Sequence, residues 1–230
     1  MHVASFVVRV WLPDRPGSLG AVASRIGMIG GDLTGIDILE RGAGRAIDEL
    51  VVSLPDDAGA ELLATAIGEV EGVDVEDVRP AQGVVLDPRL DALQTAALLV
   101  EHRTVEDLHG ALVRRACHAF EAMWCAVIHV DGPVPLAVVG TAPSLPWLGA
   151  FISGSRSSVR VAAGECGPDD VAWALLADEL VVVVGRHGRP FRARERHQLA
   201  ALARIAGVRA KELGTWAGRG AHPSAARART

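Results

Sequence analysis

The residues best suited to chemistry form one short loop near the start of the chain, Asp14-Arg15-Pro16-Gly17-Ser18-Leu19. A helix is predicted to follow this loop, and the backbone N–H groups of a first helical turn lack partners within the helix and attract a carboxylate. Gly17 lets a ligand approach those N–H groups. Asp14 and the more distant Asp32 can accept hydrogen bonds from an ammonium group. Because an amino acid carries both groups, we expect it, or a related metabolite, to be the ligand.

A second group of chemically capable residues consists of cysteines and histidines. Cys117, His118, Cys125 and His129 are spread over a predicted helix and strand, with a spacing unlike that of a standard zinc site. We interpret the cysteines as small buried apolar residues and expect no metal and no cofactor. With Cys166 the cysteines number three and show no paired spacing, which favours a reducing cytoplasm over a disulfide framework.

Signatures of common catalytic sites are absent from the sequence. There is no Gly-rich phosphate loop after a strand, no His-Glu-x-x-His and no Gly-x-Ser-x-Gly. The serines between positions 149 and 158 have no identifiable base nearby. We therefore expect a protein without catalytic activity.

Composition limits the class of partner. Half of the residues are hydrophobic and 22% are charged, as in a packed globular protein. The formal net charge of −5 gives no basic surface for nucleic acid. The apolar runs are too short to span a bilayer, and the first five residues do not resemble a secretory signal. The sequence thus predicts a cytoplasmic protein that contacts neither nucleic acid nor membrane.

The first part of the chain alternates between strand and helix patterns. Apolar residues alternate from Phe6 to Leu12, as on a strand, and recur at i, i+3, i+4 and i+7 from Leu19 to Ile26, as on a helix. Two strand segments follow, around residues 33–40 and 47–54, then a helix through Leu63 and Ile67 and a final strand near residue 75. This order predicts a β-α-β-β-α-β module of the ferredoxin-like type, with both helices on one face of an antiparallel sheet.

Over about residues 4–80 the sequence resembles the signature of ACT domains. The resemblance rests on the loop from Asp14 to Leu19, on Val22 and Ile26 of the following helix, and on Gly30-Gly31-Asp32-Leu33. In that family an Asx-Arg-Pro-Gly-x-Leu turn precedes the first helix, and a Gly-x-Asn-Ile element begins the second strand. Asp32 stands at the usual Asn position, where a carboxylate favours the ligand's ammonium group. The resemblance implies eight ligand-binding residues: Asp14, Arg15, Pro16, Gly17, Ser18, Leu19, Asp32 and Leu33.

Two other expectations accompany this resemblance. ACT domains commonly pair side by side, which protects an exposed edge strand, so we expect a homodimer through the sheet of this module. Alternatively, Asp14 only stabilises its own turn and Asp32 only marks the entrance to a strand.

The second part of the chain reads as helix, helix, hairpin, crossover, hairpin and long helix, and resembles a GAF domain over about residues 89–213. The closest likeness is Gly188-Arg189-Pro190-Phe191 followed by Glu195 and Leu199, similar to the family's closing Pro-Phe-x-x-x-Glu-x-x-x-Leu pattern. Arg192 and Ala193 replace the usual helix-capping Thr or Ser. A run of four valines near residue 182 predicts a strand at the centre of a sheet.

GAF domains bind small molecules or dimerise, and a few reduce methionine sulfoxide through cysteines. The absence of asparagine argues against a cyclic-nucleotide site, and the three cysteines do not match the reductase arrangement. The stretch that forms the pocket in this family, residues 141–167, is short here. If a second pocket exists, Trp147, Phe151 and Arg156 are its candidates, although aromatic residues there can equally serve packing.

These inferences combine into an α+β protein with an ACT domain at 1–80, a linker at 81–88, a GAF-like domain with a central antiparallel sheet at 89–213 and a flexible tail at 214–230. We expect a non-catalytic amino-acid sensor that acts through a dimer interface. Two alternatives remain: an adaptor or dimerisation protein with no ligand, and a thiol-dependent methionine sulfoxide reductase.

Overall fold

The computed structural model of the chain describes residues 3–55, 59–81, 88–132, 134–162 and 167–220. It is an α+β structure with two separate four-stranded antiparallel sheets. The chain divides into two compact units. The first unit comprises Met1–Asp91 with Arg192–Glu195, and the second comprises Ala92–Phe191 with Arg196–Thr230.

The elements of the first unit follow the predicted order β-α-β-β-α-β. They are β1 (Val3–Pro13), α1 (Ser18–Met28), β2 (Asp32–Gly42), β3 (Arg45–Pro55), α2 (Ala60–Gly68) and β4 (Asp74–Pro80). The strand order in the sheet is β2-β3-β1-β4, so β2 and β4 form the two edges. Every pair of neighbouring strands is antiparallel.

One face of this sheet carries the core of the first unit. Val8, Val10 and Leu12 of β1 are buried in this core, as predicted, but Val7 and Arg9 on the other face of the strand are buried as well. Val22 and Ile26 of α1 pack on the same face as Leu63 and Ile67 of α2, so both helices cover one side of the sheet, as predicted. Residues at matching positions of β3 complete the core: Ala46, Leu50, Val52 and Leu54.

The second unit surrounds the other sheet, whose strand order is β6-β5-β8-β7. The elements that lie wholly or mostly in it are α3 (Pro88–Glu101), α4 (Val105–Ala119), β5 (Trp124–His129), β6 (Ala137–Val139), α5 (Leu145–Arg156), α6 (Val159–Ala162), β7 (Val171–Ala177), β8 (Leu180–Gly185) and α7 (Ala193–Gly220). Both predicted hairpins are present. The strand expected from Val134 to Val138 is shorter and begins at Ala137.

Both faces of the second sheet are buried, which explains the run of four valines. Val182 and Val184 point into the core that contains α4 and α7, whereas Val181 and Val183 face Leu148 and Ile152 of α5. Because β8 lies between β5 and β7, this strand has no exposed edge. The prediction of a strand at the centre of a sheet is confirmed.

The last helix differs from the prediction at both of its ends. Arg192 lacks a capping hydroxyl, but its backbone N–H donates to Oε2 of Glu195 at 2.9 Å, so the glutamate of the closing pattern stabilises the helix start. The helix then continues to Gly220, and residues 214–220, which we expected in a tail, are helical. Residues 82–87 of the expected linker and 221–230 of the expected tail lie outside the described residues.

Among the helices described, none combines the length and the apolar character that a bilayer crossing requires.

Candidate functional site

The loop between β1 and α1 is held in place by backbone hydrogen bonds. Asp14 N donates to Gly44 O at 2.9 Å, which ties the loop to the turn between β2 and β3. Within the loop, Arg15 N donates to Pro13 O at 2.8 Å, and Ser18 N donates to Arg15 O at 3.3 Å. The loop thus has a defined shape that does not depend on side-chain contacts.

Gly17 is the residue that opens the start of α1. It is the N-cap of the helix with a φ of 92°, a left-handed conformation that favours glycine. Because glycine has no side chain, α1 has no side-chain cap, and the N–H groups of Leu19 and Gly20 donate no hydrogen bond to a side chain at the cap position. A side chain at position 17 would meet no atom within 4 Å, so the space beside these N–H groups is open.

A cavity of about 480 Å³ lies beside this helix start, between α1 and the connection from α2 to β4. Four predicted ligand-binding residues line it together with six others: Arg15, Pro16, Gly17, Ser18, Ala21, Arg25, Glu69, Val70, Glu71 and Val73. Arg25 and Glu69 form an ion pair of 2.7 Å at its rim. The cavity therefore offers groups of both charges next to the unpaired N–H groups of α1.

Ser18 connects the cavity with the interior of the first unit. It is only 9% exposed, and its Oγ has no hydrogen-bond partner. Ser18 shares the buried stripe of α1 with Val22 and Ile26, so its side chain faces the sheet. The loop motif includes Ser18, but the sequence gave no sign of this unpaired hydroxyl.

Asp48 is a buried carboxylate that the sequence analysis did not single out, and it does not line the cavity. It is 3% exposed, and its Oδ1 accepts no hydrogen bond. On β3 it lies on the core face with Leu50 and Val52, and it pairs in register with Val10 of β1. The signal was present, because a carboxylate at this position interrupts the apolar face of a strand.

Two charged residues accompany Asp48 near the helix start. Arg41 Nη1 lies 3.9 Å from Asp14 Oδ1, and both side chains are exposed. Burial raises the pKa of Asp48, the Arg41 guanidinium lowers it, and the Asp14 carboxylate raises it. Asp14 does not line the cavity, so the structure places it beside Arg41 and Asp48 and not with residues 15–18.

Asp32 and Leu33 lie far from the loop. Asp32 pairs with Ser53, and Ser53 pairs with Ser5, at the end of the sheet where β1 begins. The loop follows Pro13, at the opposite end. β2 has 11 residues, so its two ends are separated by about 30 Å at 3.3 Å per residue. Asp14 and Asp32 of one chain therefore lie too far apart to contact the same ammonium group.

The two leucines of the predicted set serve packing. The side chains of Leu19 and Leu33 are half-buried and contact the core of the first unit. Neither residue lines the cavity, although the backbone N–H of Leu19 belongs to the uncapped first turn.

In the second unit, the three candidates for a second pocket lie on α5. Trp147 and Phe151 stack with ring centroids 5.3 Å apart and planes 3° from parallel. Arg156 Nη1 instead pairs with Glu179 Oε2 at 2.7 Å. A cavity of about 440 Å³ near the start of α5 is lined by other residues: Ala126, Pro135, Val138, Gly140, Thr141, Ala142, Pro143, Ser144, Leu145 and Leu148. Trp147, Phe151 and Arg156 therefore do not form that cavity.

The described cysteines lack the properties of reactive thiols. Burial raises the pKa of Cys125 strongly, with a smaller contribution from Cys117, and burial also raises the pKa of Cys117. Catalytic thiols need a lowered pKa and exposure. Cys166 lies outside the described residues. Within the described ranges, no group of three or more His, Cys, Asp or Glu residues is arranged to hold a metal ion.

Comparison with known proteins adds little to this geometry. No protein-family model matches the chain, and no curated protein matches it. The chain is similar to a crystal structure of an unknown protein from Galdieria sulphuraria, with 17% identity over 58% of this chain and 75% of that chain, and a TM-score of 0.32.

Proposed function

We propose that the first unit is an ACT-like module that binds an amino acid at the start of α1, and that the protein is a non-catalytic sensor. The observation that supports this proposal is the cavity of about 480 Å³ lined by Arg15, Pro16, Gly17 and Ser18, four residues that the loop motif singles out. The β-α-β-β-α-β order of the unit agrees with the same resemblance.

The carboxylate of the ligand binds at the start of α1. It binds the backbone N–H groups of Leu19 and Gly20, which no side chain caps. Arg15 lines the adjoining cavity and supplies a guanidinium for the same carboxylate. Gly17 keeps this end of the helix open, since any side chain there would occupy the space that the ligand needs.

A dimer could bring Asp14 and Asp32 together, which a single chain does not. β2 is an edge strand, and Ile36 and Ile38 are exposed on it. If two copies pair β2 with β2 in antiparallel register about a two-fold axis, Asp32 of one copy lies beside the Gly42 end of the other, near the other copy's Asp14. Residues that are about 30 Å apart in one chain then meet across the junction.

Ligand binding at such a junction changes the population of dimers. A ligand that contacts both copies binds the paired state more tightly and shifts the equilibrium toward it by that difference in affinity. We assign the second unit to a GAF-like module, because its central antiparallel sheet is covered by helices on both faces. The cytoplasm is the compartment that this sensor role suits.

A thermal-shift screen of the full chain against each standard amino acid tests the proposal. A ligand at 100 times its dissociation constant stabilises the folded state by about 2.7 kcal/mol, which raises Tm by several degrees. Arg15→Ala is expected to abolish the shift. Arg103→Ala, which removes an exposed arginine of the second unit, is the matched control and is expected to retain it.

Light scattering of the same samples separates the sensor from the adaptor. A Tm shift with one amino acid, together with a ligand-dependent change in dimer population, supports the sensor. A dimer whose Tm responds to no amino acid rejects the sensor and favours an adaptor without ligand.

A further inference from the structure

Four carboxylates lie near the start of α1, and three of them are exposed. Asp14 is 40% exposed beside Arg41, and Glu69 is 55% exposed in an ion pair with Arg25. Glu71 is exposed at the rim of the cavity. Water screens such groups and lowers their value for binding a charged ligand. Asp48 is the exception, because it is buried on the core face of β3 and does not line the cavity.

Asp48 is a buried carboxylate with one unsatisfied oxygen, Oδ1. Its Oδ1 accepts no hydrogen bond, and no ion pair satisfies it in the described part of the chain. A buried charge without a partner destabilises a folded protein, so its retention calls for an explanation such as a bound ion or ligand. The raised pKa of Asp48 is the expected consequence of that burial.

A second unpaired group lies in the same layer. Ser18 Oγ is buried without a partner on the face of α1 that packs on the sheet, and Asp48 lies on the face of the sheet that packs on the helices. Both groups accept hydrogen bonds, and an ammonium group donates three. Asp14, Arg41 and Asp48 together carry one negative charge when all are ionised, which matches one ammonium group.

From this arrangement we infer that Asp48 binds the ammonium group of the amino acid, with Ser18 Oγ as a second acceptor, while the ligand's carboxylate binds the first turn of α1. The inference rests on the proposed function and explains how the site would select an amino acid over a ligand without an ammonium group. A 2-oxo acid has the same carboxylate but no ammonium group, so it leaves Asp48 unpaired and binds weakly.

The variant Asp48→Asn separates binding from structure. It preserves the shape of the side chain but removes its charge. If Asp48 serves to bind the ligand, the ligand-free variant is at least as stable as the wild type, but its Tm no longer rises when an amino acid is added. If Asp48 only stabilises the fold, the free variant has a lower Tm and responds to ligand as the wild type does.

The experiment compares the full-length wild type, Asp48→Asn and the control Glu61→Gln by thermal shift and calorimetry. Glu61 is exposed on α2 and does not line the cavity, so its replacement removes one negative charge away from the site. The probes are the standard amino acids and the corresponding 2-oxo acids. We expect the wild type and Glu61→Gln to respond to an amino acid only, and Asp48→Asn to bind it about 10- to 100-fold more weakly.

The possible results separate the role of Asp48 from the proposed sensor function. Equal amino-acid affinity in Asp48→Asn and the wild type, or an equal response to the 2-oxo acid, overturns the role of Asp48 and leaves the sensor standing. No response of the wild type to any amino acid overturns both. If Asp48→Asn does not fold, Ser18→Ala takes its place, and an unchanged affinity in that variant counts against the inference.

Discussion

Asp14 and Asp32 lie at opposite ends of one sheet, about 30 Å apart along β2. The loop motif suggested that both contact one ligand, and a single chain cannot bring them together. Two chains paired along β2 can, because antiparallel pairing places the start of one strand beside the end of the other. In the proposed dimer, the edge strand therefore serves ligand binding as well as assembly.

The β2 edge gives the first prediction. Ile38→Lys places a charge on the edge strand and is expected to convert the proposed dimer into a monomer, because lysine at a sheet edge opposes pairing with another strand. Light scattering measures the mass. Leu62→Lys, at a comparably exposed apolar position on α2, is the control and is expected to leave the mass unchanged. Identical masses for both variants would contradict pairing through β2.

Arg186 gives the second prediction, on the stability of the second unit. It is buried and donates to the carbonyl oxygens of Phe120 at 2.6 Å, Arg189 at 2.9 Å and Pro190 at 3.0 Å. Arg186→Met removes these donors and leaves buried carbonyl groups unsatisfied, so we expect a loss of about 3 kcal/mol in the free energy of unfolding.

Urea denaturation measures this loss. Arg103→Ala, at an exposed arginine of the same unit, is expected to change the free energy of unfolding by less than about 0.5 kcal/mol. A loss of similar size in both variants would contradict a specific role for Arg186.

Two glycines of α7 give the third prediction. A Cβ at Gly207 would lie 1.9 Å from the carbonyl oxygen of Leu176, so the helix packs on β7 more closely than a side chain allows. Gly207→Ala is expected to destabilise the chain by about 3 kcal/mol. A Cβ at Gly214 would meet no atom within 4 Å, so Gly214→Ala is expected to stabilise the same helix by up to about 1 kcal/mol. Thermal unfolding that shifts in the same direction for both would disprove the close packing.

The raised pKa of Asp48 gives the fourth prediction. Burial raises it above the ordinary value of 3.8, Arg41 lowers it and Asp14 raises it. As the pH rises above 3.8, the carboxyl group ionises first in the unfolded chain, so its contribution to stability is complete below 3.8 and is lost as the pH passes the raised folded value. Asp48→Asn has no carboxyl group to ionise, so it does not lose this stability. Its free energy of unfolding therefore increases relative to that of the wild type across this pH range.

Urea denaturation at a series of pH values measures the difference in free energy of unfolding between the two proteins. Glu61→Gln, which removes an exposed carboxylate away from the site, is the control. A constant difference between Asp48→Asn and the wild type from pH 3 to pH 7 would show that burial does not shift the group.

The helices and strands of the first unit could be predicted from the sequence because each depends on a local pattern of residues. The apolar stripe through Val22 and Ile26 defines α1, and Gly17 marks its start. The separation of Asp14 from Asp32 depends on strand register, which spans the whole sheet and leaves no local trace. Asp48 carried a signal, a charge on an apolar face, but its missing partner is visible only when the neighbouring side chains are in place.

The valine-rich strand β8 also has a consequence for how the chain folds. β5 and β8 are neighbours in the sheet but more than fifty residues apart in sequence, so during synthesis β5 emerges long before its partner exists. Until β8 inserts between β5 and β7, its uncharged valines are exposed and prone to aggregate with other chains. The segment that completes the second sheet is thus also the one most in need of protection on the ribosome and during refolding.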